Sequence, residues 1–371
     1  MKESSVNILF QLLRSALGSQ SVEGLPSDID WKEVIDLSFD QGVAAIAVDG
    51  LQECLPLTPP EGKGTQGGES LELSLDSPEL EDLKYEWFGE VFSCEEEFHT
   101  REGAARKLAS MWAAEGISTV ILKGASFAQY YPTAGHRYSC DLDLFIGEDW
   151  KRGCSVLERK GFDICYEVYK DAQFHIDGVY VECHRYLMSI RGNRTLQRFE
   201  RSLRSLLKDK APFGDDSLFA PPLMFNALFC IEHARGHLLH ERLTLRQVCD
   251  WMMIRRQPVD LDEFWKRCDE FGFTRFAHLM DSLSDLIEGK VRYEELASVD
   301  RKVVDEMLMA GSASQEADGS RKTSSFFQRR VRQLFTILGN GWKYREFNDV
   351  SMPVALFRQV WTHFFRKKVE L

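Results

Sequence analysis

Arg137-Tyr138-Ser139-Cys140-Asp141-Leu142-Asp143-Leu144-Phe145-Ile146 is the stretch from which the rest of the chain is read. Residues 141–146 read as a short strand, and a strand projects alternate side chains to one face. Asp141 and Asp143 therefore point together, while Leu142 and Leu144 turn to a core. Two carboxylates about 4 Å apart repel by roughly 4 kcal/mol at an effective dielectric near 20, so the pattern makes sense mainly around a cation. Magnesium is the obvious candidate, because one or two carboxylates suffice to hold it and water and substrate phosphates complete its octahedron. An exposed Asp-x-Asp at a strand end is common without a metal, so the neighbouring segments decide the weight of the signal.

Upstream, Ile117 to Leu122 is a β-branched apolar run that reads as a strand, and it ends in Leu122-Lys123-Gly124-Ala125-Ser126. A glycine there lets backbone amides approach phosphate oxygens, and Lys123 and Ser126 add a positive charge and a hydroxyl. Downstream, Val179 to Cys183 reads as a third strand. It carries Glu182 between residues that should face the core, and Glu182 can serve as a further metal ligand or as the base that takes a proton from an attacking hydroxyl. His184, two positions on, shares that face by alternation; an ordinary half-buried histidine is the alternative.

Strand, glycine turn, paired aspartates on a second strand and an acid on a third together resemble the active site of the DNA polymerase beta nucleotidyltransferase superfamily. More closely, the chain resembles the uncharacterised bacterial nucleotidyltransferase family within it, through Leu122-Lys123-Gly124, Tyr131-Pro132 and Arg137-x-x-x-Asp141-Leu142-Asp143-Leu144. The likeness is strongest over 117–190 and extends faintly to the Asp30-Trp31 helix and to His233–Asp250. The Gly124-Ala125 pair lies farther upstream of the aspartates than the glycine pair of most superfamily members.

The resemblance implies an α+β fold, a small mixed nucleotidyltransferase sheet core flanked by N-terminal and C-terminal helical segments. It implies that Asp141 and Asp143 bind the metal, Mg2+ or alternatively Mn2+, that Glu182 completes an acidic triad, and that Lys123 and Arg137 contact a nucleoside triphosphate. Gly124, Ser126 and His184 join this nucleotide-binding set. A surface salt bridge is the alternative for Arg137. The implied reaction moves a nucleoside monophosphate from the triphosphate to a hydroxyl of an unidentified small-molecule or protein acceptor and releases pyrophosphate. The rival reading is a non-catalytic nucleotide-binding regulator or antitoxin-like module on the same fold.

The flanks read as helical. Asp30 and Glu33 resemble a capping box, and Gly42 and Gly116 suit helix ends. The chain divides into an N-terminal helical segment, 1–54; a polar insertion, 55–82; a core with leading helices, 83–190; and a C-terminal helical part, 191–371, with a polar linker near 310–325. Gly62-Lys63-Gly64-Thr65-Gln66-Gly67 matches G-x-G-x-x-G only formally, since prolines precede it where a strand is needed. His233, His237 and His240 lie near one helix face, but no Glu makes an H-E-x-x-H pattern, so packing or substrate contact is preferred to zinc.

A net charge of −12 over 371 residues disfavours a duplex-binding surface, despite Arg366-Lys367-Lys368 near the end. Nine scattered cysteines without a C-x-x-C pair read as reduced thiols. No apolar run is long enough to span a bilayer, and the first residues lack a signal peptide's core, so the cytoplasm is the expected address.

Overall fold

The structure, a computed structural model, describes residues 3–18, 25–26, 28–54, 81–167, 171–188, 190, 193–309 and 339–348. The insertion read at 55–82 lies outside these residues except for Glu81 and Asp82, which open a helix. The formal glycine motif, the linker near 310–325 and the basic run at 366–368 also lie outside them.

Three helices open the chain: α1 (Glu3–Ala16), α2 (Trp31–Asp40) and α3 (Ala44–Cys54). Asp30 caps α2 by accepting the Glu33 amide at 3.2 Å, which satisfies one of the donors a helix start leaves open. The next helix, α4 (Glu81–Ala113), has 33 residues and so runs about 50 Å. Its first half buries Trp87, whose indole donates to the Ala44 carbonyl at 3.1 Å. Its second half presents Ala104, Ala105, Leu108, Ala109 and Trp112 to a sheet. The small alanines let helix and sheet approach closely.

That sheet has seven strands: β1 (Thr119–Ile121), β2 (Leu142–Phe145), β3 (Cys165–Glu167), β4 (Asp171–Ile176), β5 (Val179–His184), β6 (Ala211–Phe213) and β7 (Asp215–Ala220). Their order is β3-β4-β5-β2-β1-β7-β6. Strands β2 and β5 pair in parallel, as do β1 and β7, and the other neighbours are antiparallel. Leu142, Leu144, Ala172, Phe174, Val181 and Cys183 form the apolar face beneath α4 and α6 (Trp150–Arg159). Alternation then assigns Asp143, Asp171, Glu182 and His184 to the opposite face.

The molecule is therefore mixed α+β, as expected, but the sheet is wider than the three strands read from sequence. The segment after residue 185 is not wholly helical, because β6 and β7 return to the sheet. Pro212 in β6 concealed that strand; proline is tolerated there because β6 is the sheet's edge. Strands β4 and β5 form a hairpin whose turn is Asp177-Gly178, with φ of 51° and 82°. Positive φ at both positions is the geometry an Asp-Gly turn favours.

On the side of the acids lies α5 (Lys123–Ala128), followed by a second layer of α7 (Arg194–Leu206), α8 (Leu223–His240), α9 (Leu245–Arg255), α10 (Leu261–Phe271), α11 (Thr274–Ile287) and α12 (Ser298–Leu308). These helices share one apolar core with α1–α3, built around Trp31, Phe225, Phe229, Trp251 and Met280. Trp251, Phe264, Phe271 and Phe273 are buried in it. Among the described residues no helix is long and apolar enough to cross a membrane.

One loop contact carries a pH dependence. His136 stands between Asp49 at 2.7 Å and Glu95 at 3.0 Å, tying the approach to β2 to α3 and α4. The hydrogen bond to Asp49 outweighs burial and, with Glu95, raises the imidazole above its ordinary 6.5. A raised folded-state value stabilises below the unfolded value and loses that contribution as pH rises through the folded one. His136→Gln should cost up to about 1 kcal/mol at pH 6 and progressively less toward pH 9. Urea titrations at the two pH values check this, and an equal loss at both would refute it.

Candidate active site

The parallel register of β2 and β5 sets Asp143 directly beside Glu182. Like charges at adjacent cross-strand positions destabilise a sheet unless a cation lies between them. One carboxylate oxygen from each, together with a ring nitrogen of His184, lies within 4.8 Å of the others. His184 Nε2 is 2.5 Å from Asp143 Oδ1 and 3.7 Å from Glu182 Oε2. Behind the ring, Asp171 of β4 lies 3.8 Å from Nδ1. Asp143 and His184 are buried, and Glu182 is partly open to the cleft.

Lys123 completes this centre. Its Nζ lies 2.5 Å from Asp143 Oδ1, and it reaches that position from the turn after β1 with a φ of 42°. A left-handed lysine costs about 1 kcal/mol or more, and such strain concentrates at functional sites. Burial alone would raise the Asp143 carboxyl, but the Lys123 ammonium and the His184 hydrogen bond hold it well below the usual carboxylate range. Burial likewise opposes the ammonium of Lys123, yet Asp143, Asp141 and Glu182 keep it charged.

The glycine of this turn serves packing. A Cβ on Gly124 would stand 2.4 Å from Ser139 Oγ and 3.3 Å from an Arg137 nitrogen, so the turn and the approach to β2 interlock. Gly124→Ala should therefore cost about 1–3 kcal/mol through overpacking. The double variant Gly124→Ala/Ser139→Gly should recover most of it. Thermal melts of the two proteins test this, and no recovery would place the strain elsewhere.

Ser126 differs from expectation. It is buried, and its Oγ pairs with Asn226 of α8, whose Nδ2 donates to it at 3.0 Å, so the hydroxyl holds α5 against α8 and is turned away from the cleft. Arg137 lines the small pocket that contains Asp141 and Asp143, but it forms a buried ion pair. Its Nε and a terminal nitrogen donate to both oxygens of Asp250 at 3.0 and 2.6 Å, and the remaining terminal nitrogen donates to the Tyr138 carbonyl at 2.9 Å. Tyr131 donates to Asp250 as well, at 2.8 Å. The Tyr-Pro and Arg elements thus converge on one carboxylate of α9.

Asp141 precedes β2 by one residue, so strict alternation no longer fixes its direction. It lines the pocket beside Asp143 but stands outside the 4.8 Å group, in which His184 is the third member. His233 and His237 lie with Nε2 atoms 3.2 Å apart on α8, whereas His240 meets Tyr344 at 3.3 Å. Burial and the charge of Lys123 push His233 well below its ordinary value. Sequence reading missed Asp171, Asp250 and Arg246. The alternating polar and apolar residues of 171–176 could have disclosed the first.

The donor set suits a divalent cation, since two carboxylates and an imidazole converge on one face. The chain from residue 27 to residue 287 matches the family model described as an uncharacterised nucleotidyltransferase. No curated protein and no solved structure matches.

Proposed function

We propose, for a chain that belongs to the uncharacterised nucleotidyltransferase family, that it transfers a nucleoside monophosphate from a nucleoside triphosphate to a hydroxyl acceptor. The observation that carries this reading is the convergence of Asp143, Glu182 and His184 on the polar face of adjacent strands. The Lys-Gly turn and the aspartates of the next strand support a place in the DNA polymerase beta superfamily.

Asp143, Glu182 and His184 would hold a divalent cation, with Asp141 at the neighbouring position toward the pocket. When bound, the cation supplies charge neutralisation at the phosphates and lowers the proton affinity of the acceptor oxygen. An imidazole among the ligands favours manganese relative to magnesium more than three carboxylates would. Phosphoryl transfer is chiefly positioning and neutralisation of spread charge. Lys123 contributes positive charge beside Asp143, and Glu182, the more open carboxylate, takes the acceptor's proton on the oxygen it does not offer to the cation. The acceptor oxygen forms its bond to the α-phosphorus as the bond to the bridging oxygen breaks, and pyrophosphate leaves with that electron pair.

The second reading, a non-catalytic nucleotide-binding module, draws on the Lys123–Asp143 contact, which neutralises the central carboxylate from within the chain. One experiment separates the two: pyrophosphate release and calorimetric binding for each of the four ribonucleoside triphosphates, with magnesium and with manganese. Release or metal-dependent binding that is lost in Glu182→Gln supports the transferase. Metal-independent binding without release supports the module, and no response to any triphosphate removes both.

A further inference from the structure

Arg246 is the second residue of α9, in the first turn, where the helix dipole favours anions and disfavours a cation. The amides there are already engaged: Leu245 N donates to Gln41 Oε1 at 3.0 Å, Arg246 N to the Gln41 carbonyl at 3.3 Å, and Gln247 N to the Thr244 carbonyl at 3.1 Å. An anion arriving at this end would meet the guanidinium.

Other arginines of this layer rest on carboxylates, as Arg242 does on Asp40 at 2.8 Å and Arg255 on Asp281 at 3.1 Å. Arg246 differs. One terminal nitrogen donates to the Tyr138 carbonyl at 3.1 Å, and the group lies over the Tyr138 ring with 5.7 Å to its centroid. Among the described residues no carboxylate forms an ion pair with it, and both oxygens of Asp250 are bonded to Arg137. Burial and the like charge of Arg137 disfavour its charged form, while Asp250, Cys140 and Asp141 favour it. Arg137, which lines the pocket of Asp141 and Asp143, donates to the same Tyr138 carbonyl, so the two guanidinium groups adjoin at that pocket.

A half-buried guanidinium kept beside another arginine, at the wrong end of a helix dipole, is costly to the fold. Its remaining donors suit the planar, two-point recognition of a phosphate.

We infer that Arg246 is the phosphate clamp of this cleft, binding the pyrophosphate part of a nucleoside triphosphate on the Asp141 side of the acidic centre. The inference rests on the nucleotidyltransferase reading and deepens it.

The test compares wild type with Arg246→Gln and Arg246→Lys by calorimetry, using inorganic pyrophosphate and AMP as probes with magnesium or manganese present, alongside thermal melts. Loss of a charge-assisted contact should weaken pyrophosphate binding about 10- to 100-fold in Arg246→Gln. The lysine variant should fall between, AMP affinity should change less than about twofold, and the melting temperature should hold or rise. Unchanged pyrophosphate affinity overturns the clamp, as does a lowered melting temperature with equal losses for both probes. Wild type that binds no pyrophosphate also overturns it. Arg246-dependent pyrophosphate binding in a protein that turns over no triphosphate leaves the clamp standing and removes only the transferase reading.

Discussion

Asp143→Asn should lower nucleotidyl transfer by at least about 10³-fold, equivalent to roughly 4 kcal/mol of transition-state stabilisation. Three features concentrate the effect on this residue. It is the member of the acidic centre contacted by both Lys123 and His184 at 2.5 Å. It is the register partner of Glu182. Its carboxylate is held ionised despite burial. The amide keeps the size of the side chain but loses the charge that a divalent cation requires, and it leaves a buried ammonium without its partner. The variant should therefore lose manganese affinity together with turnover. Lys123→Met, by contrast, should leave metal affinity equal or higher while lowering triphosphate affinity, since it removes the cation that competes for Asp143. Calorimetry with manganese alone, then with a triphosphate, reads both effects. An Asp143→Asn protein with more than about a tenth of wild-type turnover would remove Asp143 from the chemistry.

Much of this centre was legible in the sequence because strand alternation is a strong geometric constraint. Alternation puts Glu182 and His184 on one face of β5 and Asp143 on the polar face of β2, but that these faces meet rests on the β2–β5 register, and the third member of the close group is His184 where the sequence pointed to Asp141. The parts that escaped depend on long-range pairing. Asp171 lies on a strand whose Asp-Ala-Gln-Phe-His-Ile pattern alternates and whose Asp177-Gly178 turn is a hairpin signal, so local reading could have reached it. Strands β6 and β7 carry a proline and a register shift between strongly helical neighbours, and only their pairing to β1 explains them. Arg137 exposes the limit most directly. A cation four residues before an aspartate looks like a phosphate ligand, and its partner Asp250 lies 113 residues away, at a distance no periodicity can bridge. A similar separation hid Arg246, whose contact with the Tyr138 carbonyl spans 108 residues.

That buried pair supplies the largest effect expected on stability. Arg137 and Asp250 are only 6% and 3% exposed, and they meet through two parallel hydrogen bonds. Asp250→Asn would strand the Arg137 charge in a poorly solvated site beside Arg246, and it would weaken the bond from Tyr131. Breaking a buried pair from one side typically costs about 3–5 kcal/mol, whereas replacing both charges with apolar groups is far milder. Asp250→Asn and Arg137→Met should each fall in that range by urea titration. Arg137→Met/Asp250→Leu should cost less than either, giving a coupling of opposite sign to the single losses. The functional consequence follows from the packing. Gly124 interlocks with Arg137 and Ser139, so an arginine that shifts carries the approach to β2 with it and misplaces Asp141 and Asp143. The double variant should therefore recover stability without recovering turnover. Equal recovery of both would mean that the pair only holds the fold and has no part in aligning the site.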